Sequence, residues 1–159
     1  MPLRLLGAGL SGLCFVGCGF VSAALLRRRL QGTLAACEAV RLLEGQICRL
    51  DVPFAEAVQD LGGDNPLLEA LGREADPLEE GAWQRAALSV GLAREDLGPL
   101  LRLRRAVPWL GRGDVSDFEL CRQELELRAA NAKRRWEREG VLHKKLGALL
   151  GAAAFMLLC

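Results

Sequence analysis

His143-Lys144-Lys145-Leu146-Gly147-Ala148-Leu149-Leu150-Gly151-Ala152-Ala153-Ala154-Phe155-Met156-Leu157-Leu158-Cys159 carries two lysines and then 14 residues without a charge. As a helix those residues extend only about 21 Å, against the roughly 30 Å of a bilayer's hydrocarbon core. Lys144 and Lys145 lengthen the stretch, because their methylenes can line apolar surface while the ammonium groups reach the interface. Counted from Val141, the helix spans about 28 Å, which is adequate. The competing reading is a core helix of a water-soluble domain, where so apolar a terminus would need cover on every side. The expectation is a C-terminal transmembrane helix over 143–159.

The other end repeats the pattern. Leu5 to Leu26 is a run of 22 residues without a charged side chain, about 33 Å as a helix, which predicts an N-terminal transmembrane helix over 1–26. All 20 acidic residues and all but one of the 21 basic ones lie between Arg27 and Lys145, so 27–142 reads as a polar body between two anchors. Lys and Arg near span ends favour the cytoplasmic side. Arg27-Arg28-Arg29 and Lys144-Lys145 agree on placing that body in the cytoplasm. A cleaved signal at Val21-Ser22-Ala23 is the alternative for the first run. Its length and the three arginines beyond the cut argue against export.

Small residues recur in both runs. Gly147 and Gly151 form GxxxG, and Gly7/Ser11, Ala8/Gly12, Cys14/Cys18/Ser22 and Gly19/Ala23 share the same spacing. Such faces let helices approach closely, so the two spans are expected to pack as a pair.

Within the body, Ala36, Val40, Leu43, Ile47 and Leu50 keep helical spacing beyond the first span. Asp51-Val52-Pro53, Asn65-Pro66 and Asp76-Pro77-Leu78-Glu79 each look like a helix start, the last with a capping-box glutamate. Pro108 should kink or end a helix over 95–110, and Gly111-Arg112-Gly113-Asp114 reads as a loop. Phe118, Cys121, Leu125, Ala129, Ala132 and Trp136 lie on a last helix with no proline before Cys159. The fold class is all-α: an antiparallel bundle of about six helices, one domain, between the two transmembrane helices.

No GxxxxGK[ST] phosphate loop is present, which speaks against ATP hydrolysis by this chain. His143 beside two lysines suits the headgroup zone better than general-base or metal duty. The four serines offer no triad, no CxxC is present, and no cofactor or metal is expected. In a reducing compartment Cys37, Cys48 and Cys121 read as small hydrophobes. Residues 30–143 hold 15 basic and 20 acidic side chains, net −5. That charge opposes nucleic-acid binding despite Lys133-Arg134-Arg135-Trp136-Glu137-Arg138. Glu79-Glu80 reads as part of a solvated face. Arg102, Arg104, Arg105 and Arg112 form a basic cluster that pairs with acids of its own domain or of a partner.

Several phrases along nearly the whole chain resemble the stage III sporulation protein AB family of endospore-forming bacteria. Leu42-Leu43-Glu44-Gly45-Gln46-Ile47 is similar to the family's leucine-rich helix end. Pro53-Phe54-Ala55-Glu56-Ala57 is similar to its Pro-Leu-x-Glu-Ala helix opening. Trp83, Leu110-Gly111 with Asp114, and Leu146 to Gly151 match further positions. Gln46, Pro108 and His143 depart from the pattern. The resemblance implies a mother-cell membrane subunit of a sporulation channel complex that resembles the platform of type II secretion and type IV pilus machines. Its expected partners are lipid, other channel subunits and a cytoplasmic secretion-type ATPase, with no small-molecule substrate. Glu79, Glu80, Arg102, Arg104, Arg105 and Arg112 are then candidate docking residues. The rival reading is a small membrane enzyme or sensor with the same topology.

Overall fold

Apolar residues three and four apart bury one stripe of each helix, and the core follows those stripes. The computed structural model describes residues 2–109 and 115–158, and their side chains apart from those of residues 2–12, 15, 109, 144, 154, 155, 157 and 158. Its elements are α1 (Pro2–Glu44), a π-helical turn (Gly45–Arg49), α2 (Phe54–Asp60), α3 (Pro66–Gly72), α4 (Glu80–Ser89), a 3-10 turn (Arg94–Asp96), α5 (Gly98–Ala106), a second 3-10 turn (Val107–Trp109), α6 (Ser116–Arg135), a second π-helical turn (Trp136–Gly140) and α7 (Val141–Leu158). The described residues include no strand. The chain forms two units, one from residues 28–131 and one from residues 1–27 with 132–159.

The 28–131 unit is the helical bundle, with the later part of α1, α2 to α5 and most of α6. Val40 and Leu43 of α1, Leu67, Leu68 and Leu71 of α3, Trp83 of α4, Leu100 and Leu103 of α5, and Phe118 and Leu125 of α6 are almost wholly buried in its core. Trp83 stacks on Phe54 at 5.8 Å between ring centroids, and its indole nitrogen donates to the Pro77 carbonyl at 2.8 Å. The ring is therefore buried with its one polar group satisfied.

Asn65 works as the sequence suggests. Its side-chain oxygen accepts from the Leu67 and Leu68 amides, capping α3 ahead of Pro66. Its amide also donates to the Ala35 carbonyl on α1 at 2.9 Å. The other two expected starts behave differently. Asp51 has φ of 59°, so it turns the chain out of the first π segment, and the residue before α2 is Pro53 with no side-chain cap. Asp76 accepts from the Leu78 amide in a local turn, and α4 begins only at Glu80. The short polar side chain satisfied the nearest amide instead of a helix end.

Pro108 falls in the 3-10 turn that follows α5, consistent with its missing N–H. The loop expected at 111–114 lies outside the described residues.

Helix α4 ends in a Schellman motif. The Leu92 amide donates to the Ala87 carbonyl and the Gly91 amide to that of Leu88, with Gly91 at φ +95°, a conformation open to glycine.

In the second unit, α1 and α7 meet at small residues. A Cβ at Gly19 would lie 2.6 Å from the His143 carbonyl oxygen and 3.3 Å from the Gly147 Cα. Ala23, Gly147 and Gly151 are buried. Large apolar side chains point outward; Leu13 is 72% exposed and Met156 76%. Among the described residues no helix is long and apolar enough to cross a membrane. Parts of both candidate spans lie outside those residues, namely the side chains of 2–12 and 15 in the first and of 144, 154, 155, 157 and 158 in the second.

Candidate functional site

Of the charged residues singled out in the sequence, Glu79, Glu80, Arg104 and Arg105 lie where the turn before α4, α4 itself and α5 come together, while Arg102 turns toward α6. Arg85 of α4 donates through Nε to both carboxylate oxygens of Glu74, at 3.2 and 3.1 Å, and reaches Glu79 at 3.3 Å. Glu80 accepts from Arg104 at 3.2 Å and lies 4.0 Å from Arg105. Arg104 also donates to the Leu78 carbonyl at 2.9 Å. Arg102 pairs with Glu124 of α6. Arg112 lies outside the described residues.

These pairs set the electrostatics of the face. The hydrogen bond from Arg85 holds the Glu74 carboxyl below the usual carboxylate range, and bonds to Glu74 and then Glu79 strengthen the hold of Arg85 on its proton. Each named acid thus has a cation beside it. Such a face can exchange ion-pair partners with another charged surface. Among the described residues no group of three or more His, Cys, Asp and Glu is placed to hold a metal ion.

A second cluster was not legible in the sequence. Asp96, almost wholly buried, accepts from Arg29 at 3.0 Å and from Arg128 at 3.2 Å, and Arg29 also reaches Glu95 at 2.6 Å. This ties α1 to α6 through the first 3-10 turn. Glu44 pairs with Arg122 at 3.5 Å, so the two helices run antiparallel in the bundle. Arg28 donates to the Ser89 carbonyl at 3.1 Å. Two of the three arginines read as a membrane flank thus have partners inside the bundle.

Two thiols of the bundle are held in the protonated form. Burial, with Glu126 adding to it, pushes Cys37 up to about 11, and burial with Glu124 pushes Cys121 up to about 12.

The small residues of the two end segments divide. Gly147 lies against Gly19 of α1, and Gly151 and Ala23 are buried as well. Cys14 and Cys18 are exposed, and Ser22 donates to the Cys18 carbonyl at 2.9 Å within its own helix. The close approach falls at Gly19, which the sequence offers together with Ala23, and the absence of a side chain there lets the backbones touch. Gly7 and Ser11 lie in the part of α1 whose side-chain surroundings are not described.

These features define an all-helical protein with an ion-paired bundle and a separate pair of end helices closed on glycine. The model of the stage III sporulation protein AB family matches residues 4–159, and the chain belongs to that family. Its role accordingly lies in stage III of sporulation. No curated protein and no solved structure matches the chain.

Proposed function

We propose that this chain is a non-enzymatic platform subunit of a sporulation channel complex, held in the mother-cell membrane by residues 1–26 and 143–159. In this reading the bundle of residues 27–142 faces the cytoplasm and couples a secretion-type ATPase to membrane subunits. One observation carries the membrane part: the glycine-closed pair buries Gly19, Ala23, Gly147 and Gly151 and turns large apolar side chains outward. Leu13, Leu25, Leu149 and Met156 are all more than half exposed. Lipid tails make that arrangement favourable, since helix association there relies on close small-residue packing while leucines face hydrocarbon. The same surface in water would be an apolar liability.

The coupling part draws on family membership and on the ion-paired face. Glu79 and Glu80 keep 58% and 43% of their side-chain surface exposed, so a basic partner can reach them. The test is co-purification of the detergent-solubilised chain with the secretion-type ATPase of the same cells, with and without Glu79→Lys and Glu80→Lys. Retention by the unaltered chain and loss in the double variant supports the reading. Equal retention by both removes this face as the docking surface, and no retention by either counts against ATPase coupling.

A further inference from the structure

At the first π-helical turn, Arg41, Glu44, Gly45 and Arg49 face Arg122 and Glu126 of α6 across a cleft of about 360 Å³. Its ion contacts are long. Arg122 lies 3.5 Å from Glu44 and 3.7 Å from Glu126, and Arg49 lies 3.9 Å from Glu44. Charge-assisted bonds normally close to about 2.7–2.9 Å, as Arg29 does to Asp96 at 2.8 Å. Arg41 pairs with no carboxylate among the described residues. Three guanidinium groups therefore face two carboxylates, with donors to spare and room between them. Glu44 retains only 12% of its side-chain surface exposed, so it cannot swing out to satisfy them.

We infer that this cleft binds one carboxylate from a partner protein, an acidic side chain entering between Arg41, Arg49 and Arg122. The surplus is a single positive charge. A monoanion matches it, whereas a polyanion would meet Glu44, Glu126 and the net −5 of residues 30–143. Guanidinium forks take a planar carboxylate with two parallel bonds. Gly45 keeps the mouth open: a Cβ there would meet nothing within 4 Å, so a large side chain at 45 would fill the cleft without striking the core. This inference does not depend on the membrane placement or on the Glu79/Glu80 face.

The test is a titration of the full chain in detergent micelles with acetyl-Gly-Glu-Gly-amide, followed by the side-chain Nε–H signals of the arginines in NMR. The expected result is a saturable shift confined to Arg41, Arg49 and Arg122. Acetyl-Gly-Gln-Gly-amide should give none. Arg41→Gln should weaken binding about tenfold, in keeping with one lost charged hydrogen bond, and Gly45→Leu should abolish it while leaving the far-UV circular dichroism unchanged. Equal shifts from the Gln peptide, shifts spread over all arginines, or undiminished binding to Gly45→Leu would overturn the site. Tighter binding of glutarate or inorganic phosphate than of the Glu peptide would overturn its assignment to a partner protein.

Discussion

Gly32 of α1 packs directly on the backbone of Leu92: a Cβ at position 32 would lie 2.7 Å from the Leu92 amide nitrogen, with the Gly91 carbonyl carbon at 2.8 Å and the Val90 carbonyl oxygen at 2.9 Å. All three neighbours are backbone atoms of the Schellman turn that ends α4, so none can rotate away. Gly32→Ala should destabilise the bundle by about 1–3 kcal/mol, the usual range for overpacking. Gly45→Ala, with open space at its Cβ, should leave stability unchanged or raise it by about 0.5–1 kcal/mol. Urea denaturation in detergent, followed by Trp fluorescence, separates the two; equal midpoints would refute the close approach.

Asn65 caps α3 and crosses to α1. Asn65→Ala removes the cap and leaves the Ala35 carbonyl without its second partner, and should cost about 1–2 kcal/mol. Asn65→Asp keeps the cap but sets a carboxylate oxygen against that carbonyl. Protonation restores a donor, so this variant should gain stability relative to the unaltered chain as pH falls from 7 to 4. A deficit that does not change with pH would contradict the bond to Ala35.

Asp96 accepts from two arginines of different helices while almost wholly buried. Asp96→Ala removes both bonds, leaves Arg29 with Glu95 alone, and should cost about 1–3 kcal/mol. The Arg29→Met, Asp96→Leu, Arg128→Met triple variant should recover much of that, since buried charge clusters are often replaceable by apolar groups. Chemical denaturation of both measures it. A triple variant no more stable than Asp96→Ala would show that the charges themselves hold the helices.

Glu74 has a folded pKa below its ordinary 4.5, so its bond with Arg85 adds stability that is present above about that pH and is lost as pH falls through the depressed value. The effect is small because the pair is at the surface. Arg85→Gln should lower the urea midpoint at pH 7, and the gap to the unaltered chain should narrow as pH falls below the ordinary carboxylate range. A gap that does not change with pH would point to packing by the arginine stem.

With pKa values near 11 and 12, Cys37 and Cys121 are almost wholly thiols at neutral pH and should react slowly with Ellman's reagent in the folded chain. Urea should restore ordinary rates. Fast native reaction at either would contradict the burial.

The helices were legible wherever a signal acts within its own turn. Asn65-Pro66 announces α3 because the cap is two and three residues from the amides it serves. Asp51 and Asp76 also precede prolines, yet Asp51 takes up a positive φ at the end of the π-helical turn and Asp76 accepts from the Leu78 amide ahead of α4. Both π-helical turns escaped the sequence reading because their apolar spacing mimics an ordinary helix. The pairing of Arg102, Arg104 and Arg105 with acids of their own domain was among the alternatives drawn from sequence. The choice of Asp96 for Arg29 and Arg128 was not, since it brings together residues 67 and 32 positions apart. The end helices show the same limit: small residues recur on several faces of α1, and only the approach of α7 selects Gly19 over Cys14 and Cys18.

Alkaline carbonate extraction of membranes from sporulating cells tests the central claim, that the glycine-closed helix pair resides in lipid. The account predicts that the chain stays in the membrane pellet, as proteins embedded in the hydrocarbon layer do. Release of the intact chain into the carbonate supernatant would contradict it.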